Sequence, residues 1–339
     1  MPKSLSRMIV RFSVDLHREL VRCRRDKREN VTSSPFSIAA ALSMTLAGSR
    51  GNTGDELLAA LRGKDGYLHE HFASFLPKLS SHSHKLQYYF ANRIYSGLTF
   101  PVAEEYVTFL KSTYVSTIVS VDFEKHSETV RGEINDWVKI VTESKIVDLL
   151  APGSVGPSTG VLLVNAVYFR GLWESPFPAC STSRRDFNVN SRTKVQVDMM
   201  SQKQAFAISR NDDLGVRAIE MPYRGGRSSM VVLLPNEIDG LSHLEHHLSH
   251  GKLSNILADL KETPDVESIV SNMVHKVYLR VDEDGTDPAV STPAIAMASS
   301  PPKTTMTQKT DFVVDHPFML LVLKSKSDVV IFISSVRPP

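Results

Sequence analysis

Hydrophobic positions near the start of the chain recur every fourth residue. Phe12, Leu16 and Leu20 fall on one side of a helix, so the spacing predicts an opening amphipathic helix. Ser34 followed by Pro35 is an N-cap and first-turn pair, and it predicts a helix through Ile38, Leu42 and Leu46 that ends near Gly48. Thr53 reads as the cap of another helix, with Asp55 and Glu56 in its first turn and Gly63 beyond its end. Further helices fit 102–113, 127–142 and 241–250. Strand patterns dominate later. Val161–Phe169 is a near-continuous apolar run, as in a strand covered on both faces. Val216–Tyr223 and Ser229–Leu234 flank Gly225-Gly226, a hairpin signal. Met273–Asp282 alternates, with His275, Val277, Leu279 and Val281 on one face. Helices early and strands late predict an α+β body rather than a βαβ repeat. No internal repeat or linker divides it, which predicts one domain over 1–339.

One segment breaks the pattern. Residues 283–311 are small, polar and punctuated by proline, and apolar runs follow at Phe312–Leu323 and Val329–Val336. Structureless connections longer than about 12–15 residues are uncommon in compact domains unless they are functional or disordered.

Composition narrows the function. Hydrophobic residues make up 42% and charged residues 22%, as in soluble globular chains. The net charge of +2 gives no reason to expect a nucleic-acid partner. Arg22, Arg24, Arg25, Lys27 and Arg28 could offer weak polyanion binding, or simply end a helix favourably. Cys23 and Cys180 lie far apart and lack CxxC spacing, so metal or redox use is not expected, and a disulfide between them is a weak option. No run is long enough to span a membrane, and the N-terminus carries no signal-peptide pattern. The sequon Asn30-Val31-Thr32 matters only in a secreted chain.

Candidate chemistry is sparse. GxSxG, HExxH, phosphate-loop and paired-cysteine patterns are missing, so no catalytic residues, metal or cofactor are expected and the chain is read as not an enzyme. His243, His246, His247 and His250 share a face of the helix expected at 241–250, and the reading is a polar surface helix. Asn165 interrupts an apolar run in phase with Leu163, Val167 and Phe169, and His275 sits on an apolar strand face. A buried polar group without a partner costs about 1–3 kcal/mol, so each needs hydrogen bonds. They read either as a satisfied core pair or as a polar latch where strands separate.

A set of short motifs then occurs in order along nearly the whole chain. It runs from Asn30-Val31 and Ser34-Pro35-Phe36-Ser37-Ile38 through residues 47–53, Ala91-Asn92-Arg93 and Ile134-Asn135-Asp136-Trp137-Val138. It continues through residues 164–174, Met221-Pro222-Tyr223, His275-Lys276, Glu283-Asp284-Gly285-Thr286 and Asp315-His316-Pro317-Phe318. The ordered set resembles the serpin family, in particular secreted arthropod members. The resemblance implies a serpin-like fold of three β-sheets, eight or nine helices and an exposed reactive-centre loop at about 283–311. It implies a serine-type endopeptidase inhibitor: a suicide substrate cut in that loop, which then inserts as a strand of the main sheet. Ser34, Ser37, Asn165 and His275 match the family's shutter, and Trp173 its breach. The hinge would comprise Glu283, Gly285, Thr286 and Pro288. The partner would be a trypsin-, chymotrypsin- or elastase-like protease, the protein a monomer, and its location extracellular, with an intracellular one still open.

The loop fits this role unevenly. Gly285, Thr286, Ala289, Ser291, Ala294 and Ala296 are small enough for an inserted strand, whereas Asp287, Pro288, Val290 and Pro293 fit poorly. Proline cannot donate to a ladder. The family's spacing from Glu283 puts the reactive bond at Ser299–Ser300. Counting back from Pro317 lands nearer Met306, and Lys303 between them would suit a trypsin-like enzyme. Pro264–Glu267 passes almost directly into Ser268–Lys276, where the family has an edge strand and a helix, so elements are expected to be missing around 267–270. A non-inhibitory role as cleaved substrate, binding protein or truncated isoform is the alternative.

Overall fold

A computed structural model describes residues 3–63, 67–79, 86–271, 273–274, 280–286, 310–324 and 329–337. In chain order they form α1 (Lys3–Cys23), β1 (Val31–Ser33), α2 (Pro35–Gly48), α3 (Gly51–Ala60), α4 (Leu68–Leu79), β2 (Leu86–Gly97), α5 (Glu104–Tyr114), β3 (Ile118–Val121), α6 (Phe123–Val141) and β4 (Val161–Leu172). There follow β5 (Ser183–Asn190), β6 (Thr193–Asn211), β7 (Val216–Pro222), β8 (Ser228–Pro235), α7 (Leu241–His247), α8 (His250–Ala258), β9 (Lys261–Ser271), β10 (Met273–Val274), β11 (Arg280–Val281), β12 (Gly285–Thr286), β13 (Thr310–Val314), β14 (Phe318–Lys324) and β15 (Val329–Val336). The class is α+β, as expected. The chain divides into two compact units, one of Met1–Glu19, Ser33–Phe169 and Lys326–Ile333, the other of Leu20–Thr32, Arg170–Ser325 and Ser334–Pro339.

In the first unit, α6 packs its Val130, Ile134 and Val138 against Ala91 and Tyr95 of β2 and Val164 and Ala166 of β4. Asp122 caps α6 by accepting the Lys125 N–H at 3.0 Å, so the helix starts four residues before the expected 127. In α3 the extended backbone of Arg50 marks the cap, and Thr53, expected there, lies inside the helix. The helix α4 was not expected; it brings Phe72 and Phe75 onto Phe36 of α2 at ring separations of 5.6 and 5.3 Å.

The second unit is mostly strand. The Gly225-Gly226 turn joins β7 and β8 as expected, both glycines at positive φ (89° and 59°) where a side chain would be strained. The 19-residue β6 pairs with β5 near its start, with β9 along its middle and with β7 at its end. That one long strand explains a difference in sheet count. Where the resemblance implies three sheets, the ladders among the described residues run as a nine-stranded and a six-stranded network, β6 serving two blocks at once. Pro264 is accommodated inside β9 because the register shifts there: Thr263 faces Phe206 and Val266 faces Gln204. The ladder opens around the residue that has no N–H.

Two expectations in this unit need correction. The helix expected at 241–250 breaks at Leu248, and Ser249 caps α8 through the Lys252 N–H at 3.3 Å. His250 therefore leaves the face of His243, His246 and His247. Among the described residues no cluster of His, Cys, Asp or Glu is placed to hold a metal. Met273–Asp282 is also not one strand: β10 and β11 pair antiparallel, Val274 opposite Arg280, so β10 serves as the ladder neighbour that β11 would otherwise lack.

The basic cluster is partly committed. Arg28 pairs with Asp26 at the surface, while Arg24 reaches the buried Glu245 at 3.2 Å, and Arg337 holds the same carboxylate at 2.7 and 2.8 Å. Cys23 and Cys180 are both free and exposed. Asn30 accepts the Arg337 N–H, which engages the sequon in the fold. No helix among the described residues is long and apolar enough to cross a membrane.

Burial pushes the Glu245 carboxyl up, but Arg337 and Arg24 outweigh it and hold it below the usual range. A depressed carboxyl contributes stability above its unfolded pKa of about 4.3 and loses it as pH falls through the folded value. Glu245→Ala strands two buried guanidinium groups and should destabilise by about 3–5 kcal/mol at pH 7. Denaturant titration should show that deficit narrowing below about pH 4. A deficit under about 1 kcal/mol at pH 7 would mean that water satisfies both arginines.

Candidate functional site

Glu283, Gly285 and Thr286, expected to belong to a hinge, lie in the second unit, where the chain turns from β11 into β12. Asp282 makes the turn: its carboxylate accepts the N–H groups of Asp284 (3.1 Å) and Gly285 (3.3 Å), and its own N–H donates to the Gly285 carbonyl at 2.9 Å. Over its described residues β12 has a ladder partner on each side. Thr286 pairs antiparallel with Val281 of β11 and with Gly171 of β4, and Gly285 pairs with Leu172. Gly285 and Thr286 are therefore interior strand. A Cβ on Gly285 would lie 2.1 Å from the Gly171 carbonyl oxygen and 2.7 Å from the Leu172 Cα, so any side chain there would collide with backbone. Thr286 is fully buried, and its hydroxyl meets the Tyr223 hydroxyl at 2.6 Å.

Trp173 closes the site from the end of β4. Its ring stacks on Tyr223 at 4.7 Å and 6°, and its indole N–H donates to the Asp282 carbonyl at 2.9 Å. The Trp173 N–H donates to the Asp284 carbonyl (2.9 Å) and the Phe177 N–H to the Glu283 carbonyl (2.8 Å). The Thr182 hydroxyl donates to the Glu283 carboxylate at 2.5 Å. Each carbonyl of the turn thus has a donor, which a buried backbone requires. Sequence reasoning singled out Trp173, Glu283, Gly285 and Thr286, and the structure brings all four together. It missed Tyr223, Asp282 and Thr182 as parts of the same cluster. Only the Met221-Pro222-Tyr223 motif pointed at Tyr223, and it assigned no role.

Of the residues expected to form the shutter, Ser34, Ser37 and Asn165 lie in the first unit. The Asn165 amide donates to the Ser37 hydroxyl (2.6 Å), the Ser37 carbonyl (3.1 Å) and the Asn92 side-chain oxygen (2.5 Å). Asn92 was not foreseen as a partner. Asn165 itself is only half-buried, and the better buried face of β4 is Val164, Ala166 and Tyr168, the opposite phase from that expected. Ser34 occupies the N-cap position of α2 but does not cap. Its hydroxyl donates to the Ile331 carbonyl at 2.7 Å instead, and Pro35 at the first helical position leaves no N–H there to satisfy. His275, Pro288, Pro293, Ser299, Ser300, Lys303 and Met306 lie outside the described residues.

Two substitutions probe the hinge. Gly285→Ala should unseat β12 and accelerate hydrogen exchange at the Thr286 amide by at least about tenfold, since the Gly171 backbone cannot give way. Unchanged exchange would mean that the β12 ladder does not persist in solution. Tyr223→Phe leaves a buried Thr286 hydroxyl without its partner and should lower unfolding stability by about 1–3 kcal/mol, read by denaturant titration.

Comparison with known proteins gives one consistent result. The family model described as "Serpin (serine protease inhibitor)" matches residues 7–269 and 257–339. Iris of Ixodes ricinus is 42% identical over 380 residues, covering 99% of this chain and 100% of that protein. Ipis-1 of Ixodes persulcatus is 41% identical over 378 residues with the same coverage. The human leukocyte elastase inhibitor is 30% identical over 385 residues, again covering 99% and 100%. Among solved structures, uncleaved ovalbumin matches with a TM-score of 0.84 at 22% identity, covering 99% of this chain and 100% of that one. A serpin of the insect Tenebrio molitor matches with a TM-score of 0.84 at 23% identity, covering 100% and 99%. A family match along the whole chain, tick relatives above 40% identity and this shared fold lead to one assignment: the chain belongs to the serpin family.

Proposed function

We propose that this protein inhibits a serine-type endopeptidase as a suicide substrate. The observation that carries the reading is β12. With Gly285 and Thr286 already paired between β11 and β4, a loop inserting beyond them would extend a strand whose first rung exists. In the proposed cycle the protease serine attacks a loop carbonyl, the amine side of the cut bond leaves, and an acyl-enzyme forms. Insertion beyond Thr286 then carries the acyl-enzyme away before water can release it. The reactive bond is Ser299–Ser300, with Lys303 and Met306 as alternatives. The candidate targets are trypsin-, chymotrypsin- and elastase-like enzymes. The relative named as an inhibitor of leukocyte elastase supports the last class. We read both compact units as parts of one domain over 1–339 that acts as a monomer outside the cell.

A second reading has its own support. Pro288 comes two residues after the rung at Thr286, and Pro293 five residues later. Each lacks a ladder donor, at about 1–3 kcal/mol. Since each 1.36 kcal/mol on a barrier is tenfold in rate, the pair could slow insertion by roughly 10²–10⁴. The alignment with Iris is 380 residues long against a chain of 339, and the family match breaks into two overlapping pieces around 257–269. Both support the absence of a segment before β10. An inhibitor slowed this far would be cut and released as a substrate.

Incubation with trypsin, chymotrypsin and elastase, followed by denaturing gels, separates the two readings. Trapping gives a detergent-stable complex at the summed mass. Loop cleavage without a complex for all three would refute trapping and leave the substrate reading. If the prolines are the obstacle, the Pro288→Ala, Pro293→Ala double variant should raise the ratio of complex to cleaved product by at least about tenfold.

A further inference from the structure

The first unit contains a cavity of about 170 Å³ that the hinge chemistry does not use. Leu76 of α4, Tyr89 and Asn92 of β2, Tyr114 and Val115 at the end of α5, and Val141 at the end of α6 line it. Its size can be judged against a known case: an engineered apolar cavity of about 150 Å³ takes benzene. Aromatic rings form much of the wall, and Tyr89 is fixed in place by stacking on Tyr168 at 5.4 Å and by donating to the Glu143 carboxylate at 2.5 Å. None of the lining residues carries a charge. The chemistry suits a small uncharged aromatic molecule.

Backbone strain gathers around the same place. Four described non-glycine residues have positive φ: Arg62, Val115, Glu143 and Ser144. Val115 lines the cavity, Glu143 holds the cavity-lining Tyr89, and Ser144 is its neighbour. Val115 is the most unusual of them, because a β-branched residue is a poor fit to the left-handed region. A glycine would end α5 there without that strain. The valine instead stands 71% exposed at the cavity wall. Strain that is retained beside a cavity is a reason to look for a function there.

The third observation ties the cavity to the shutter. Asn92 lines the cavity, and its side-chain oxygen accepts the Asn165 amide, which also donates to Ser37. The Asn92 carbonyl accepts the Ser116 hydroxyl at 2.6 Å, next to the strained Val115. We propose that this cavity binds a small uncharged aromatic ligand of indole size and that occupancy stabilises the Asn92–Asn165–Ser37 hydrogen bonds, holding the shutter closed. The two sets share one side chain, so a ligand that fixes Asn92 favours the state in which Asn165 is bonded to it. Binding and its effect on these hydrogen bonds go beyond the inhibitor reading and do not depend on it; their role as a shutter rests on that reading.

Indole itself is the probe, titrated into the full-length protein by calorimetry and followed by hydrogen exchange. The expected result is saturable one-to-one binding with a Kd of roughly 0.1–1 mM, given the few contact atoms of so small a ligand. Exchange of amides flanking Asn92 and Asn165 should slow by about threefold or more. Val141→Phe fills the cavity and should weaken indole binding at least about tenfold. Should that variant fold poorly, Val115→Trp covers the exposed mouth from a surface position and should do the same. Asn165→Ala should still bind indole but lose the slowed exchange. No saturable binding, or binding untouched by both filling variants, overturns the site. Slowed exchange that persists in Asn165→Ala overturns the coupling. None of these readouts uses a protease, so their failure is separable from failure of the inhibitor reading.

Discussion

The strand β12, where Gly285 leaves no room for a Cβ, governs this site. Its order comes from around it: Asp282 closes the turn, Trp173 and its neighbours take the turn carbonyls, and Tyr223 receives the only polar atom of the Thr286 side chain. The tight fit of Gly285 on the Gly171 and Leu172 backbone makes the seat specific. Seating by close approach leaves no cavity for water and no slack for a larger residue. The fit allows Gly285 no intermediate seat: it lies against that backbone or away from it.

The polar contacts on β4 obey a different logic. An apolar side chain at Asn165 would pack, but it would leave the Ser37 hydroxyl and the Asn92 oxygen without their donor. Ser34 spends its hydroxyl on Ile331 rather than on its own helix, so α2 gives up a cap in favour of a tertiary bond. Hydrogen bonds of this kind can be exchanged one for another as strands move, whereas interdigitated aliphatic packing offers no partly separated state of similar energy.

Much of this was legible in the sequence, for identifiable reasons. The helix α2 announces itself through Ser34-Pro35, the β7–β8 turn through Gly225-Gly226, and the segment around β12 through the Glu283-Asp284-Gly285-Thr286 motif of the serpin resemblance. The Val161–Phe169 run marks β4 but not its phase, because a strand covered on both faces loses the alternation that would show which side is deeper. Tyr223 was invisible as a hinge residue: its partner Thr286 is 63 positions away, and a tyrosine at the end of a hairpin strand carries no local signal of it. The break between α7 and α8 was missed because the histidine spacing continues across it, while Ser249, an adequate cap, was not singled out.

The segment we propose to be missing bears on the same sheet. Removing an edge element usually exposes a row of unpaired backbone groups that can recruit another chain. Here β10 lies beside β11 from within the chain, pairing Met273 with Val281 and Val274 with Arg280. β11 is in turn one of the two strands between which β12 sits. In the inhibitor reading we propose, insertion beyond Thr286 would leave a ladder position without a donor at Pro288 and another at Pro293. On that reading the strands have to part once, whereas filling the gap meets the proline penalty twice, so the prolines would set the pace.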